Sequence, residues 1–392
     1  MPLTGVRVLD FGRYIAGPYC AALLADYGAE VIRIEAPGGN DDRFSIPVAE
    51  DGSGGMYMQM NRNKQSLTLK PGSDQGRAII KRLVADADVV VANMPDEVLV
   101  KLGLDYESIA AINPRAILAV ASSFGSDGPL ANHVGFDAVG QAMSGAVYLS
   151  GTADRPMRAQ VNYVDFGTAL HLAFGVMAAL RQREVTGKGQ RVAGSLLGTA
   201  LAYTNALTIE HHVLGADRPP AGNRAFSSGP TDIFQTTDGW IMTQIVGSAI
   251  FGRWTQLVGQ PELADDPRFA SDIERGNHGE ILSDIMQKWC EGQSNADVLA
   301  AMAKARLPAA PILRPAEVLH QPQVAAMHLV EPMNYPGAPV PVPVIRSPIH
   351  LSDSPKQDQI HAPQLGDHSD EILSALGYSV DEIAGFRQDG IV

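Results

Sequence analysis

Residues 5–35 read GVRVLDFGRYIAGPYCAALLADYGAEVIRIE, and this stretch sets the fold class of the 392-residue chain. A short apolar run at 6–11 ends in a turn, and Gly17-Pro18 then opens a helix. AEVIRIE at 29–35 is a second strand of β-branched residues. This strand–helix–strand order predicts the first βαβ unit of a parallel sheet.

The same alternation continues to residue 125. Further strands are predicted at 67–69, 87–94 and 115–125, and further helices at 73–84 and 106–112. Repeated βα units predict a parallel sheet with helices on both faces and a ligand at the carboxyl ends of the strands.

The remaining chain changes character twice. Residues 161–212 are predicted to be mainly helical, whereas 232–245 contain two alternating strands around a Thr-Asp-Gly turn, the pattern of a hairpin. The Pro-rich run at 338–348 predicts an extended crossing segment, and two short amphipathic helices are expected in the tail.

We therefore expect an α/β fold with two domains. A large, discontinuous Rossmann-like domain with a parallel sheet would comprise residues 1–224 and 326–392. A smaller α+β domain would be inserted at 225–325.

Composition excludes several function classes. The net charge is −13, and Lys and Arg form no stripe, which argues against nucleic acid or an anionic membrane as partner. Cys20 and Cys290 are far apart and lack metal-site spacing, so we expect no metal site and a reducing compartment. The longest apolar run, around 169–180, is short of the ~20 residues of a membrane helix, and no leader pattern is visible. A cytoplasmic protein is expected.

A dinucleotide site is disfavoured by the first turn. Glu35 ends the second strand, where a dinucleotide fold places its ribose-binding acid. The turn reads FGRYIAGP, with glycines at 12 and 17, and lacks the G-x-G-x-x-G spacing that lets backbone approach a pyrophosphate.

The segment at 161–190, VNYVDFGTALHLAFGVMAALRQREVTGKGQ, places Asp165 before a nearly unbroken apolar helix. A helix that is apolar almost all round is typically buried. From these residues alone, Asp165 is either an ordinary N-cap or a catalytic carboxylate.

Several motifs, in order along nearly the whole chain, resemble the class III CoA-transferases, the family of formyl-CoA transferase and carnitine-CoA transferase. They lie at 5–43, 61–69 (NRNKQSLTL), 87–94 (ADVVVANM), 135–145 (GFDAVGQAMSG), 183–192 (REVTGKGQRV) and 362–373 (APQLGDHSDEIL). The resemblance implies an interlocked homodimer that holds no tight cofactor and takes an acyl-CoA thioester and a carboxylic acid as substrates.

The resemblance also implies that Asp165 is a nucleophile. It would form a mixed anhydride with the acyl group of the donor and then an aspartyl-CoA thioester. Backbone N–H groups of Phe166 and Gly167, at the helix start, are expected to stabilise developing negative charge. The loop 222–230, with Gly222 and Gly229, matches a mobile cover over the anhydride, and a plain linking loop is the alternative.

The CoA contacts implied by the resemblance come from four parts of the chain. Each is carried over by position, and Lys64 is the expected phosphate contact. They are Tyr14, Ile15 and Ala16 for the pantetheine and thioester, Asn61 and Lys64 for the adenosine and phosphates, Asn93 and Met94 for the adenine side, and Lys101 in place of a family arginine.

The acyl group and two alternative functions remain open. Arg13, Arg158 or Arg224 could clamp a distal carboxylate, which would favour a dicarboxylic acyl group such as succinyl. The related α-methylacyl-CoA racemases use a Gly-His-Asp triplet, but here Phe136 occupies the middle position and His133 lies outside it. A racemase and a non-catalytic acyl-CoA-binding protein are therefore the alternatives. Asp137 is expected either to hold the active-site wall or to have a structural role in a turn.

Overall fold

The computed structural model describes residues 1–354 and 358–392, which group into two compact units. The large unit comprises Met1–Ser144, Gln160–Tyr203 and Pro322–Val392, and the small unit comprises Gly145–Ala159 and Thr204–Gln321. These divisions differ from the expected domain boundaries after residues 224 and 325, mainly because the chain from 204 to 224 groups with the small unit.

The large unit contains a six-stranded parallel sheet. Its strands are β1 (Arg7–Asp10), β2 (Glu30–Glu35), β3 (Lys64–Thr68), β4 (Val89–Ala92), β5 (Ile117–Ser122) and β6 (Arg191–Ser195). The order across the sheet is β3-β2-β1-β4-β5-β6, with Val8 of β1 in register with Val31 of β2 and Val89 of β4. The predicted parallel sheet is confirmed, and its order reverses between β1 and β4, where α/β proteins bind ligands.

Both faces of this sheet are buried by helices. In β4, Val89 and Val91 pack on one face with α1 (Ala16–Asp26) and α8 (Tyr163–Thr186), while Val90 packs on the other. The central strand β4 is therefore apolar throughout rather than alternating, as expected for a strand that is covered on both faces.

The other helices of the large unit surround this framework. They are α2 (Gly55–Met60), α3 (Asp74–Ala85), α4 (Asp96–Leu102), α5 (Tyr106–Ile112), α6 (Asp137–Met143), α15 (Pro322–Ala326), α16 (Ser369–Ala375) and α17 (Val380–Gln388), and α9 (Leu196–Leu214) contributes to both units. The predicted extended segment forms β11 (Val342–Ile345), antiparallel to β10 (Val330–Met333).

Strand β6 was not predicted from the sequence. It lies at the edge of the sheet and is only partly buried, so it lacks the apolar run of the central strands. Its five residues include a glycine and a single β-branched residue, which is a weak strand pattern. The region 161–212 is therefore two helices joined through a strand.

The small unit confirms the predicted hairpin. Strands β7 (Thr231–Gln235) and β8 (Trp240–Gln244) pair antiparallel, and β9 (Ala309–Pro311) adds to β8. The helices are α7 (Ala146–Leu149), α10 (Ser248–Leu257), α11 (Asp272–Asn277), α12 (Gly279–Cys290), α13 (Asn295–Lys304) and α14 (Pro315–Val318). Phe234, Trp254 and Met286 lie in its core.

Helix α8 is longer than the apolar run predicted at 169–180, and it is less buried than predicted. Its 24 residues are long and apolar enough to cross a membrane by length and composition, a test that core helices of soluble proteins also pass. It packs on the sheet through residues such as Leu172 and Val176. The opposite side is not buried in the single chain, since Phe174 is 77% exposed and Leu170 and Met177 are also exposed.

Candidate active site

A pocket of about 370 Å³ lies at the carboxyl ends of β1, β4 and β5, where the strand order reverses. Arg13 and Tyr14 enter it from the loop after β1, and Asn93 and Met94 from the loop after β4. Asp165, from the first turn of α8, lies in the same wall. The site therefore has the position that the strand pattern predicted.

The β1–α1 loop is held in this wall by Asn93. The Asn93 side-chain amide accepts from the Arg13 N–H at 2.8 Å and donates to the Arg13 carbonyl oxygen at 2.7 Å. The next residue, Tyr14, has a φ of 61°, a left-handed conformation that is costly for a residue with a bulky side chain. The two-point contact stabilises that conformation and aims Tyr14 into the pocket.

A buried ionic network supports the same loop from below. Asp10 accepts from the Gly12 N–H at 2.8 Å and from the Lys64 ammonium at 2.7 Å. Arg33 donates to the Gly12 carbonyl oxygen and pairs with Asp42 at 2.7 Å. The loop that lines the pocket is thus fixed by charges that are themselves out of solvent.

Lys64 corrects a sequence expectation. Its side chain is buried and also donates to the Pro18 carbonyl oxygen and to Asn61 Oδ1. Burial lowers the pKa of Lys64 to about 8. These three contacts of the Lys64 ammonium are all internal, so the structure gives no support to its expected phosphate contact. Asn61 is equally buried and is a hydrogen-bond partner of Lys64.

The start of α8 corrects a second expectation. Asp165 is the third residue of the helix, and Asn162 occupies the N-cap position. The Phe166 N–H donates to the Asn162 carbonyl oxygen at 3.1 Å, so this group is not available to a substrate oxyanion. The N–H groups of Val164 and Asp165 donate instead to Asp137 Oδ2, at 2.8 and 3.0 Å. Asp137, not Asp165, caps the helix.

Gly167 has a packing role that the sequence did not reveal. A Cβ at this position would lie 2.0 Å from the Tyr203 hydroxyl oxygen, so any larger residue would have to displace the Tyr203 side chain. Gly167 is the fifth residue of α8, beyond the four N–H groups that lack a partner within a helix, so the geometry gives no support to its expected oxyanion role.

The electrostatics of the pocket act directly on Asp165. Burial, followed by the like charge of Asp137, raises the pKa of Asp165 from 3.8 to about 7. Asp165 is partly exposed, and its exposed part faces the pocket. Carboxyl groups with this combination of a cleft position and a raised pKa are candidates for catalysis.

The expected site residues divide into three groups. Arg13, Tyr14, Ala16, Asn93 and Met94 line the pocket with Asp165, whereas Ile15 is buried behind the loop and the exposed Lys101, on α4, is not among the lining residues. Arg158, Gly222, Arg224 and Gly229 belong to the small unit. There Gly229 is buried, and a Cβ would lie 2.8 Å from the Arg275 carbonyl oxygen, so it is a packed position.

The pocket also contains residues that the sequence reading did not assign to it. His133 and Arg191 line it, and Arg191 pairs with Asp96 at 2.7 Å. Phe136 contacts Tyr14 edge-on, with ring centroids 5.7 Å apart. Arg191 is the first residue of β6, at the amino end of the strand, so the strand pattern would not have placed its side chain in this pocket. Among residues 1–354 and 358–392 no cluster of three or more His, Cys, Asp or Glu side chains could hold a metal ion.

The fold and the site together define an α/β protein with a carboxyl-bearing pocket at the switch point of a parallel sheet. Residues 3–369 match CoA-transferase family III, and the chain belongs to this family. It is an enzyme that transfers CoA, and the resemblance described from its motifs is confirmed.

Named relatives extend over the full chain. It is 34% identical to the succinyl-CoA–D-citramalate CoA-transferase of Chloroflexus aurantiacus, covering 100% of this chain and 98% of the relative. It is 33% identical to the succinate–glutarate CoA-transferase of Agrobacterium fabrum, covering 96% of each. Among solved structures, a CAIB/BAIF family protein from Brucella suis superposes with a TM-score of 0.84 at 32% identity, covering 96% of this chain and 99% of the other.

Proposed function

We propose that this enzyme moves CoA from a dicarboxylic acyl-CoA donor to a carboxylic acid acceptor, with Asp165 as the covalent carrier. The observation that carries the proposal is the position of Asp165, a partly exposed carboxyl group in the wall of the switch-point pocket. Its raised pKa makes the carboxylate a more basic nucleophile than an ordinary aspartate.

The chemistry follows from exchange between carboxylates. An Asp165 oxygen attacks the thioester carbonyl carbon, the C–S bond breaks, and CoA leaves as a thiolate, which gives a mixed anhydride. The thiolate then attacks the Asp165 acyl carbon, the donor acid leaves as a carboxylate, and an aspartyl-CoA thioester remains. The acceptor carboxylate attacks that thioester, and the returning thiolate forms the new acyl-CoA and restores Asp165.

The chain's own residues perform positioning and water exclusion in this scheme. Tyr14 and Phe136 present an apolar edge-on pair at the pocket, beside Met94. Such a lining lowers the local water content, which protects a hydrolysable anhydride. Asn93 fixes the loop on which Tyr14 lies.

A dicarboxylic acyl group is supported by two observations. Arg13 lines the pocket, and a guanidinium there matches the planar geometry of a distal carboxylate. The relatives from Chloroflexus aurantiacus and Agrobacterium fabrum are named for succinyl-CoA and for succinate. Arg158 and Arg224, in the small unit, remain candidates for the same role.

We also propose a cytoplasmic homodimer, interlocked as in the family that the motifs resemble. The exposed apolar side of α8, formed by Leu170, Phe174 and Met177, supports burial against a second copy. The loop 222–230, with Gly222 and Gly229, is the proposed mobile cover over the anhydride.

The test is transfer by the Asp165→Asn variant. We expect loss of CoA transfer from succinyl-CoA to a panel of mono- and dicarboxylic acids, and loss of the hydroxylamine-sensitive enzyme adduct. Asp127→Asn, at an exposed carboxyl of the β5–α6 connection, is the matched control and should retain both. Turnover in Asp165→Asn would refute the covalent role, and equal use of monoacids would refute the clamp.

A second candidate is proton exchange at the α-carbon of an acyl-CoA, because His133 lines the same pocket as Asp165. Deuterium incorporation from D2O into an acyl-CoA without any acceptor acid would favour it. Stable α-protons would dismiss it.

A further inference from the structure

Asp137 is the first residue of α6, and its side chain is fully engaged beneath the active-site carboxyl. Oδ2 accepts from the backbone N–H groups of Val164 and Asp165 at 2.8 and 3.0 Å, and Oδ1 accepts from the Gln141 side-chain amide. The residue is 3% exposed. Because an ionised carboxyl only accepts hydrogen bonds, the charged form satisfies all three contacts without rearrangement.

The three donors carry no formal charge, so they fix the position of the Asp137 carboxylate without neutralising it. The negatively charged Asp137 carboxylate thus accepts a hydrogen bond from the backbone of Asp165, whose own carboxyl group faces the pocket. Two like charges in a partly buried site repel more strongly than in water. Either protonation or acylation of Asp165 removes that repulsion.

We propose that Asp137 is a positioning residue that favours the acylated states of Asp165. It rests on the proposed covalent role of Asp165. In the nucleophilic form of the enzyme both carboxyl groups are anions, whereas in the anhydride and in the thioester Asp165 is a neutral acyl group. Attack on the donor thioester transfers the negative charge from Asp165 to the departing CoA thiolate, away from Asp137. The free enzyme is raised in free energy relative to both covalent intermediates.

The charge environment agrees with this role. The like charge of Asp137 is the second cause, after burial, of the raised pKa of Asp165. The other charged or titratable groups that line the pocket are Arg13, Tyr14, Asp96, His133 and Arg191, of which Asp96 and Arg191 pair with each other. Tyr163, on α8 itself, is also influenced by Asp137, which adds to the effect of burial in raising the pKa of Tyr163.

The experiment compares Asp137→Asn with Asp137→Glu, since the first removes the charge and the second keeps it. We expect Asp137→Asn to move the acid limb of kcat/KM to lower pH. We also expect a roughly tenfold lower ratio of trapped acyl-enzyme to free enzyme, which corresponds to one pKa unit. Asp137→Glu should retain the wild-type limb. An unchanged limb and ratio in a folded Asp137→Asn variant would overturn the inference.

A second variant and a spectroscopic measurement test the inference even if Asp137→Asn does not fold or has no turnover. If Asp137→Asn does not fold, Asp137→Ser supplies a small N-capping acceptor without charge, and the same shift is expected. The ionisation of Asp165 can be followed by infrared difference spectra between each variant and its Asp165→Asn counterpart, without turnover. If Asp165→Asn is inactive and the uncharged variants Asp137→Asn and Asp137→Ser show no shift, only this inference is refuted. An active Asp165→Asn enzyme refutes the covalent role itself.

Discussion

Replacement of Asp165 by asparagine should change how the stability of the fold depends on pH. The folded pKa of Asp165 is about 7, against 3.8 for an ordinary aspartate. A raised carboxyl pKa means that stability is fully present below pH 3.8 and falls as pH rises to the folded pKa. Each pKa unit is worth about 1.4 kcal/mol, so the full cost of ionising this carboxyl is on the order of 4 kcal/mol above pH 7.

The expected difference can be read at two pH values. At pH 5 the unfolded carboxyl is ionised while the folded one is protonated, which costs about 1.7 kcal/mol, and at pH 8 the cost is about 4 kcal/mol. The asparagine of the variant does not ionise and carries no such cost. Between pH 5 and pH 8 the wild type should therefore lose about 2.5 kcal/mol relative to Asp165→Asn.

Guanidinium unfolding of both proteins at pH 5 and pH 8, at one protein concentration, measures this difference directly. Changes in other groups cancel because each pH is compared between the two proteins. An identical gap between wild type and Asp165→Asn at the two pH values would show that the pocket does not disfavour the charged carboxylate.

Three other substitutions test the supports of the site. Asn93→Ala removes both contacts to the Arg13 backbone and should raise KM for the acyl-CoA more than it lowers kcat, because the Tyr14 loop is freed; steady-state kinetics check this, and an unchanged KM would contradict it. Lys64→Met removes the ammonium that pairs with the buried Asp10 carboxylate and should cost roughly 3–5 kcal/mol of unfolding free energy, while the folded fraction keeps its affinity for CoA; a selective loss of CoA affinity would support the phosphate role. Gly167→Ala forces a Cβ against the Tyr203 hydroxyl and should cost about 1–3 kcal/mol, measured by denaturant midpoint. Tyr203→Ala in the same chain should recover most of that loss, and no recovery would mean that the strain lies elsewhere.

The fold was predictable because its central strands are buried on both faces and therefore read as continuous apolar runs. Strand β6 escaped because an edge strand is only half covered, and Gly194 weakens its pattern. The hairpin β7–β8 was readable because its turn residues mark it locally.

For the candidate site, the loops that line the pocket were predictable from the sequence, whereas the contacts between distant segments were not. Residues of the β1 and β4 loops line one pocket because the carboxyl ends of parallel strands share one edge, while their contacts to CoA stay a prediction. The burial of Lys64 against Asp10 was not predicted, because an isolated lysine in a sequence gives no sign of whether an aspartate lies beside it in the fold. The capping of α8 by Asp137 joins residues 27 or 28 positions apart, and nothing local to either segment indicates it.

Helix α8 carries both Asp165, in its first turn, and the exposed apolar side formed by Leu170, Phe174 and Met177. Leu170 follows Asp165 by five residues, about 7.5 Å along the axis at 1.5 Å per residue, and the exposed apolar side begins there. In the proposed homodimer, the second copy would exclude water from α8 close to Asp165, so the fraction of active enzyme would depend on protein concentration by mass action. Dilution would then lower the activity per chain. A charged residue in place of Phe174, introduced to improve solubility, would also lower the activity, although Phe174 does not line the pocket.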